Sequence, residues 1–182
     1  QMLSALLVDT ALPALHGLVN CAGIKVASTV PETGGHDWDA QMAINLRAPA
    51  LCARELLPLL AKGPGHIVNV SSMGGFVLPR TGSWVYDATK LGLVALTRNL
   101  ASENAAKGIR CNTVAPGWTV TEMHFASAPD PEARKRELEN THNDRSLSGR
   151  LGRPEEIAAV IVFLLTEDAS FVNATTVHVD GG

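Results

Sequence analysis

Residues 66–72 read HIVNVSS, a β-branched run that ends on two hydroxyl residues. No polar face alternates along it, so it reads as a strand buried on both sides, the kind found in parallel sheets. The pattern turns helical on either flank. Residues 84–107 are helical, and GIRCNTVAPG at 108–117 is a further strand closing on Pro-Gly. Upstream, MLSALLVDTALPAL (2–15) ends in a helix and passes into GLVNCAG (17–23), a short buried strand running into a small-residue turn. From Asp37 to about Lys62 a long helical stretch is expected to be kinked or divided at Pro49 and Pro58. Downstream, GRPEEIAAVIVFLL (152–165) sets Pro154 at a first helical position and Glu155 and Glu156 in the first turn, where carboxylates suit the helix dipole. Ile157, Val160, Ile161 and Leu164 form its apolar stripe, and TTVHVD (175–180) is the last strand.

Strands alternating with helices imply an α/β chain whose doubly wound parallel sheet is covered on both faces. In such sheets ligands bind outside the carboxyl ends of the strands. Those ends read Asn20-Cys21-Ala22-Gly23, Ser71-Ser72 and Pro116-Gly117, small and polar as a crevice for a flat ligand requires.

Composition narrows the function. The 182 residues are 46% hydrophobic and 18% charged with a net charge of −3, which suits one soluble domain with a substantial core. Lysines and arginines form no cluster, so neither nucleic acid nor an anionic membrane is an expected partner. No apolar run reaches transmembrane length. Cys21, Cys52 and Cys111 each lie in an apolar run and read as buried, reduced thiols of a cytoplasmic protein. The six histidines show no paired spacing, so no metal site is expected. Glycosylation sequons at Asn69 and Asn173 fall in strand-like runs and read as chance matches. Residues 122–150 are polar and punctuated, and read as an insertion of short helices over a site, a substrate lid within the single domain 1–182.

WVYDATKLGLVALTRNL (84–100) holds the only tyrosine, Tyr86, with Lys90 four positions on. That spacing puts both on one helix face. A phenol titrates near 10, and a cation within about 4–6 Å lowers that by about 1–3 units. Lys90 is therefore expected to make Tyr86 a usable acid and base. Alone, the pair reads more readily as a packed ring beside a lysine reaching for solvent, and its context reverses that. Ser72, at a strand exit, supplies a hydroxyl able to stabilise charge growing on a substrate oxygen.

With LVNCAGI, MAINLRAP, IVNVSS, YDATK and NTVAPGWTVTEM in this order, nearly the whole chain resembles the short-chain dehydrogenase/reductase family, single-domain branch. The resemblance implies a Rossmann-like fold and an oxidoreductase that moves hydride between NAD or NADP and a secondary alcohol or ketone. It implies Tyr86 as general acid/base, Lys90 as the residue that tunes it and holds the nicotinamide ribose, Ser72 as the group positioning the carbonyl, and Asn45 as support for a proton relay. Asn20, Ala22 and Gly23 match the segment against the cofactor's adenosine side. Pro116, Gly117, Thr119 and Thr121 match the stretch holding the nicotinamide amide. It also implies a homodimer or homotetramer acting on a small-molecule alcohol or carbonyl substrate, built on the Tyr86 helix and on a second helix through Leu51, Leu56, Leu57 and Leu60.

Some family features have no match here. Neither the glycine-rich phosphate loop nor the residue selecting NAD over NADP has a counterpart, so the expected sheet lacks its first βαβαβ portion, about 60–75 residues before Gln1. The chain alone is then expected to bind nicotinamide nucleotides weakly. Cys21 stands where asparagine is commoner, the Ser72–Tyr86 spacing is one residue long, and Asn173-Ala174 replaces Thr-Gly. Two other readings stand beside the enzyme: a non-catalytic nucleotide-binding scaffold, and an inactive fragment of such an enzyme.

Overall fold

The computed structural model describes residues 14–77 and 81–182; of the segment 2–15 expected to end in a helix, residues 2–13 lie outside them and Ala14 and Leu15 are not helical. Four parallel strands form one sheet: β1 (Gly17–Asn20), β2 (Gly65–Val70), β3 (Ile109–Pro116) and β4 (Thr176–Val179), side by side in that order. Every residue of β2 is buried, as its unbroken apolar run requires. β1 departs from expectation. Among the described strands its single neighbour is β2, and Gly17 and Val19 are exposed where a buried strand was expected.

Between β1 and β2 run α1 (Gly35–Met42), one wide π turn (Ala43–Arg47) and α2 (Ala48–Leu60). Pro49 explains the wide turn: it cannot donate to the carbonyl of Asn45 four positions earlier, and the Ala48 N–H bonds Ala43 instead. Pro58 sits inside α2 without ending it. The helix α3 (Trp84–Asn104) connects β2 to β3. Beyond β3 come two short helices, α4 (Glu122–Phe125) and α5 (Pro131–Glu139), and then α6 (Pro154–Leu164).

Two apolar clusters cover the sheet. Ala53, Leu56, Leu60, Ile67, Leu100 and Cys111 form one, and Val68, Val114, Ile157 and Leu164 form the other. These are the two helical layers the alternating pattern implied. Leu56 and Leu60 therefore belong to the core and not to the outward face assigned to them. The thiols also divide: Cys111 is buried, Cys52 half-buried, and Cys21 exposed because it follows β1 onto the rim of the sheet.

A polar network crosses the interior beside Cys111. Asn20 donates to Asn69 at 2.7 Å, Asn69 donates to Thr97 at 2.9 Å, Thr113 donates to Thr97 at 2.9 Å, and Thr97 donates to the Leu93 carbonyl at 2.8 Å. The Thr97 oxygen thus accepts twice and gives once, which uses its full capacity. This network joins β1, β2, β3 and α3 and fixes the register of the elements that carry the site. Arg110 on β3 does the same for the second layer, donating to the carbonyls of Leu164, Thr166 and Val172 around the end of α6.

Candidate active site

A cleft of about 1090 Å³ opens past the carboxyl ends of β1, β2 and β3, where the topology leaves room for a ligand. The two serines after β2 part company there. Ser71 turns inward and donates to the Lys90 carbonyl at 2.7 Å, tying α3 to the strand end. Ser72 faces the cleft beside Tyr86 and accepts the Gly74 N–H at 3.1 Å. Gly74 and Gly75 are needed at this bend. A side chain on Gly74 would strike Asp87, and Gly75 has φ +87° with Leu91 where a Cβ would stand.

Tyr86 and Lys90 share the cleft-facing side of α3, as their spacing implies, but their electrostatics differ from expectation. The phenol lies above its usual 10.0, first because it is buried; the Ser72 hydroxyl draws it down and Asp87 pushes it up. Lys90 is only 3% exposed and spends one N–H on the Val70 carbonyl at 2.9 Å, with Nζ 5.6 Å from the Tyr86 ring centroid. Burial drops its own pKa from 10.5 to about 8. Desolvation of the ring outweighs what its neighbours do to lower the phenol.

Asn45 lies in the wide turn, fully buried. Its amide accepts the Ile24 N–H at 2.8 Å, donates to the Ile24 carbonyl at 2.8 Å and reaches Thr89 at 3.2 Å. Thr89 in turn donates to the Tyr86 carbonyl at 2.7 Å. The side chain is therefore a clamp between the segment after β1 and the helix that carries Tyr86.

Ala22, Gly23, Pro116, Gly117, Thr119 and Thr121 all line the cleft. Gly23 carries no side chain where a Cβ would come within 3.1 Å of Lys90 Nζ and 3.3 Å of Asn45 Oδ1, so backbone and lysine meet closely. Gly117 is equally constrained by Asp180, and Thr119 donates to the Gly117 carbonyl at 3.1 Å. Asn20 is set apart: its amide is committed to Asn69 within the sheet. Among the described residues no group of histidine, cysteine and carboxylate side chains could hold a metal ion, and no helix is long and apolar enough to cross a membrane.

Reading the sequence missed Lys25, Gln41 and Thr89. Lys25 lines the cleft with Nζ 5.8 Å from the Tyr86 ring centroid. The available signal was Gln41 and Asn45, two amides one helical turn apart in a mostly apolar stretch. Residues 122–150 supply one wall of the cleft, and a small cluster of Val120, Leu138 and Leu151 with Phe125 holds that wall together.

The family model described as enoyl-(acyl carrier protein) reductase matches residues 5–182. Meso-2,3-butanediol dehydrogenase of Serratia marcescens is 36% identical over 168 residues, covering 91% of this chain and 62% of that protein. Dehydrogenase/reductase SDR family member 6 of Rattus norvegicus is 32% identical over 169 residues, covering 91% of this chain and 67% of that protein. Levodione reductase of Leifsonia aquatica is 38% identical over 174 residues, covering 92% and 64%. The chain thus spans about two thirds, or somewhat less, of the length of these relatives. Among solved structures, a gluconate 5-dehydrogenase from Burkholderia cenocepacia in complex with NADP and tartrate superposes with a TM-score of 0.84 at 30% identity, over 98% of this chain and 68% of that one. The ligand-free aldohexose dehydrogenase of Thermoplasma acidophilum, at 24% identity and a TM-score of 0.87 over 100% of this chain and 71% of that one, shares the fold. The ordered motifs, the parallel sheet and these matches agree that the chain belongs to the short-chain dehydrogenase/reductase family.

Proposed function

We propose that the protein is an NAD(P)-dependent oxidoreductase that interconverts a secondary alcohol and a ketone, with Tyr86 as general acid and base. One observation carries the reading: Ser72, Tyr86 and Lys90 line the same cleft, with the Ser72 hydroxyl near enough to the Tyr86 phenol to draw its pKa down. Two hydroxyls converging on one point can hold a single carbonyl oxygen between them. The names of the butanediol dehydrogenase and the levodione reductase support alcohol and ketone chemistry, and the NADP complex of the gluconate dehydrogenase supports the cofactor class.

A nicotinamide bound in the cleft would supply or accept the hydride. Gly23, Ala22, Pro116, Gly117, Thr119 and Thr121 would hold it, since small residues let a flat ligand approach the strand ends. In the reducing direction the phenol, with its raised pKa, is protonated at neutral pH and gives its proton to the substrate oxygen, while Ser72 holds that oxygen in place. Lys90 keeps two N–H donors beyond the one on Val70, enough for ribose hydroxyls. The Asn45 amide is spent on Ile24 and Thr89, so its part in replenishing the proton runs through its main-chain carbonyl, which Pro49 leaves without a helical donor. Asn20 serves the sheet, and the wall 122–150 acts as the substrate lid. The test is consumption of NADH or NADPH by the full-length protein with a panel of small ketones; absence of turnover with every carbonyl and both nucleotides overturns the reading.

The same reading makes the protein a homodimer or homotetramer. Leu93, Val94 and Leu100 of α3 are buried, which leaves Ala88, Leu91 and Ala95 outward, with Leu51 on α2 also exposed. An apolar face of this kind suits a two-fold contact. Sedimentation is expected to give a dimer or tetramer for the wild type and a monomer for Leu91→Glu. A monomeric wild type would return these side chains to the ordinary apolar surface of a single chain.

A further inference from the structure

Two buried amides present residue 25 to the cleft. Asn45 grips Ile24 by both its N–H and its carbonyl. Gln41, one turn earlier and likewise fully buried, grips Val26 in the same way, accepting its N–H at 3.2 Å and donating to its carbonyl at 3.4 Å. Gln41 is steadied by a further bond to the Asp37 carbonyl at 3.3 Å. With the backbone polar groups of residues 24 and 26 both held by buried amides, the segment that carries Lys25 is fixed in place. Lys25 Nζ stands 5.8 Å from the Tyr86 ring centroid, on the wall of the cleft.

Lys25 has no hydrogen-bonded or ion-paired carboxylate among the described residues. Four acids share the cleft, Asp87, Glu122, Glu139 and Glu155, and none of them forms an ion pair with Lys25. A half-buried ammonium on a clamped segment, without an ion-paired carboxylate, lines the same cleft as Ser72 and Tyr86. Recognition sites are built this way, with an apolar wall and a few convergent polar groups that fix orientation. A charge-assisted hydrogen bond is the strongest such group available to a small substrate.

We propose that Lys25 is a specificity-determining residue that receives a carboxylate carried close to the reacting carbon, so that the cleft prefers oxo acids and hydroxy acids to uncharged ketones and alcohols. Gln41 is a positioning residue for it. The proposal rests on the oxidoreductase reading for its substrate class, and its test keeps the two apart. Acetoacetate and pyruvate are each compared with their methyl esters, which keep the skeleton and remove the charge. In Lys25→Met the ratio of kcat/KM for acid over ester is expected to fall about tenfold or more, one such step being a charge-assisted bond lost. Lys25→Arg is expected to keep most of the ratio, and Gln41→Leu to reduce it chiefly through KM. A ratio unchanged in Lys25→Met overturns the proposal. If no carbonyl is turned over, the oxidoreductase reading fails by itself, and calorimetric titration with malonate decides the role of Lys25. Affinity weakened about tenfold in Lys25→Met supports it, and equal affinity in the two proteins overturns it.

Discussion

Tyr86→Phe is expected to lower kcat by about 10²–10⁴-fold, the range attached to one positioned acid or base, while nicotinamide nucleotide affinity stays close to that of the wild type. The substitution removes one oxygen and keeps the ring, whose centroid lies 5.8 Å from Lys25 Nζ and 5.6 Å from Lys90 Nζ. The Ser72 hydroxyl loses its neighbour and still has the Gly74 N–H to accept. Folding should therefore change little, and a denaturation midpoint near that of the wild type is the control. The raised pKa of the phenol adds a direction. Reduction needs the protonated form, which is present throughout the neutral range, whereas oxidation needs the phenolate and should accelerate as pH climbs toward that raised value. A Phe variant with near-wild-type kcat would remove Tyr86 from the chemistry, and a flat alkaline profile for oxidation would remove it as the base.

How much of this was legible in the sequence depended on what each residue answers to. The strand HIVNVSS and the pair Tyr86 and Lys90 were readable because their periodicity is local: a buried strand has no polar face, and four residues make one helical turn. The choice of Ser72 over Ser71 came from resemblance, and the reason for it is tertiary, since Ser71 is drawn inward by the Lys90 carbonyl across the cleft floor. β1, expected to be buried from its apolar run, has Gly17 and Val19 exposed, with β2 its one neighbour among the described strands. Cys21 was misread too, as the rim of a sheet exposes residues whatever surrounds them in sequence. Leu56 and Leu60 were placed on an outer face because helix periodicity gives stripes without saying which stripe meets the sheet. Pro49 and Pro58 looked alike and act differently. One opens a wide turn at the residue that clamps Ile24, and the other is absorbed in the last turn of α2. Lys25 had no periodic or motif signal, because its position comes from two amides that reach it from another element.

The electrostatic expectation failed in the most instructive way, and Lys90 carries the second large prediction. The sequence reading treated the lysine as a free cation beside a phenol in water. In the fold both groups are desolvated, which raises one pKa and lowers the other. Lys90→Met is expected to reduce kcat/KM about a hundredfold, the scale of two charge-assisted hydrogen bonds to ribose hydroxyls, and mostly through nucleotide affinity. Its second signature lies in stability against pH. The unfolded chain keeps the lysine proton up to about 10.5, and the folded chain releases it near 8. Between those values the unfolded state binds more protons, so stability rises with pH, by about 3 kcal/mol across the whole window. Cys111 opposes this in the wild type: burial pushes its thiol from 9.0 up to about 12, so the unfolded chain loses that proton first and stability falls with pH. The wild-type curve alone is therefore nearly uninformative above pH 9. The difference between wild type and Lys90→Met cancels the thiol, which both proteins share, and isolates the lysine. Urea denaturation at pH 7, 8, 9 and 10 should show the wild type gaining on the variant as pH rises, with the gain beginning near 8. A constant difference would mean that Lys90 keeps an ordinary proton affinity in the fold. The ammonium would then be a full cation beside Tyr86 at every pH where the enzyme works, and the simple tuning of the phenol by its neighbour would return as the better account.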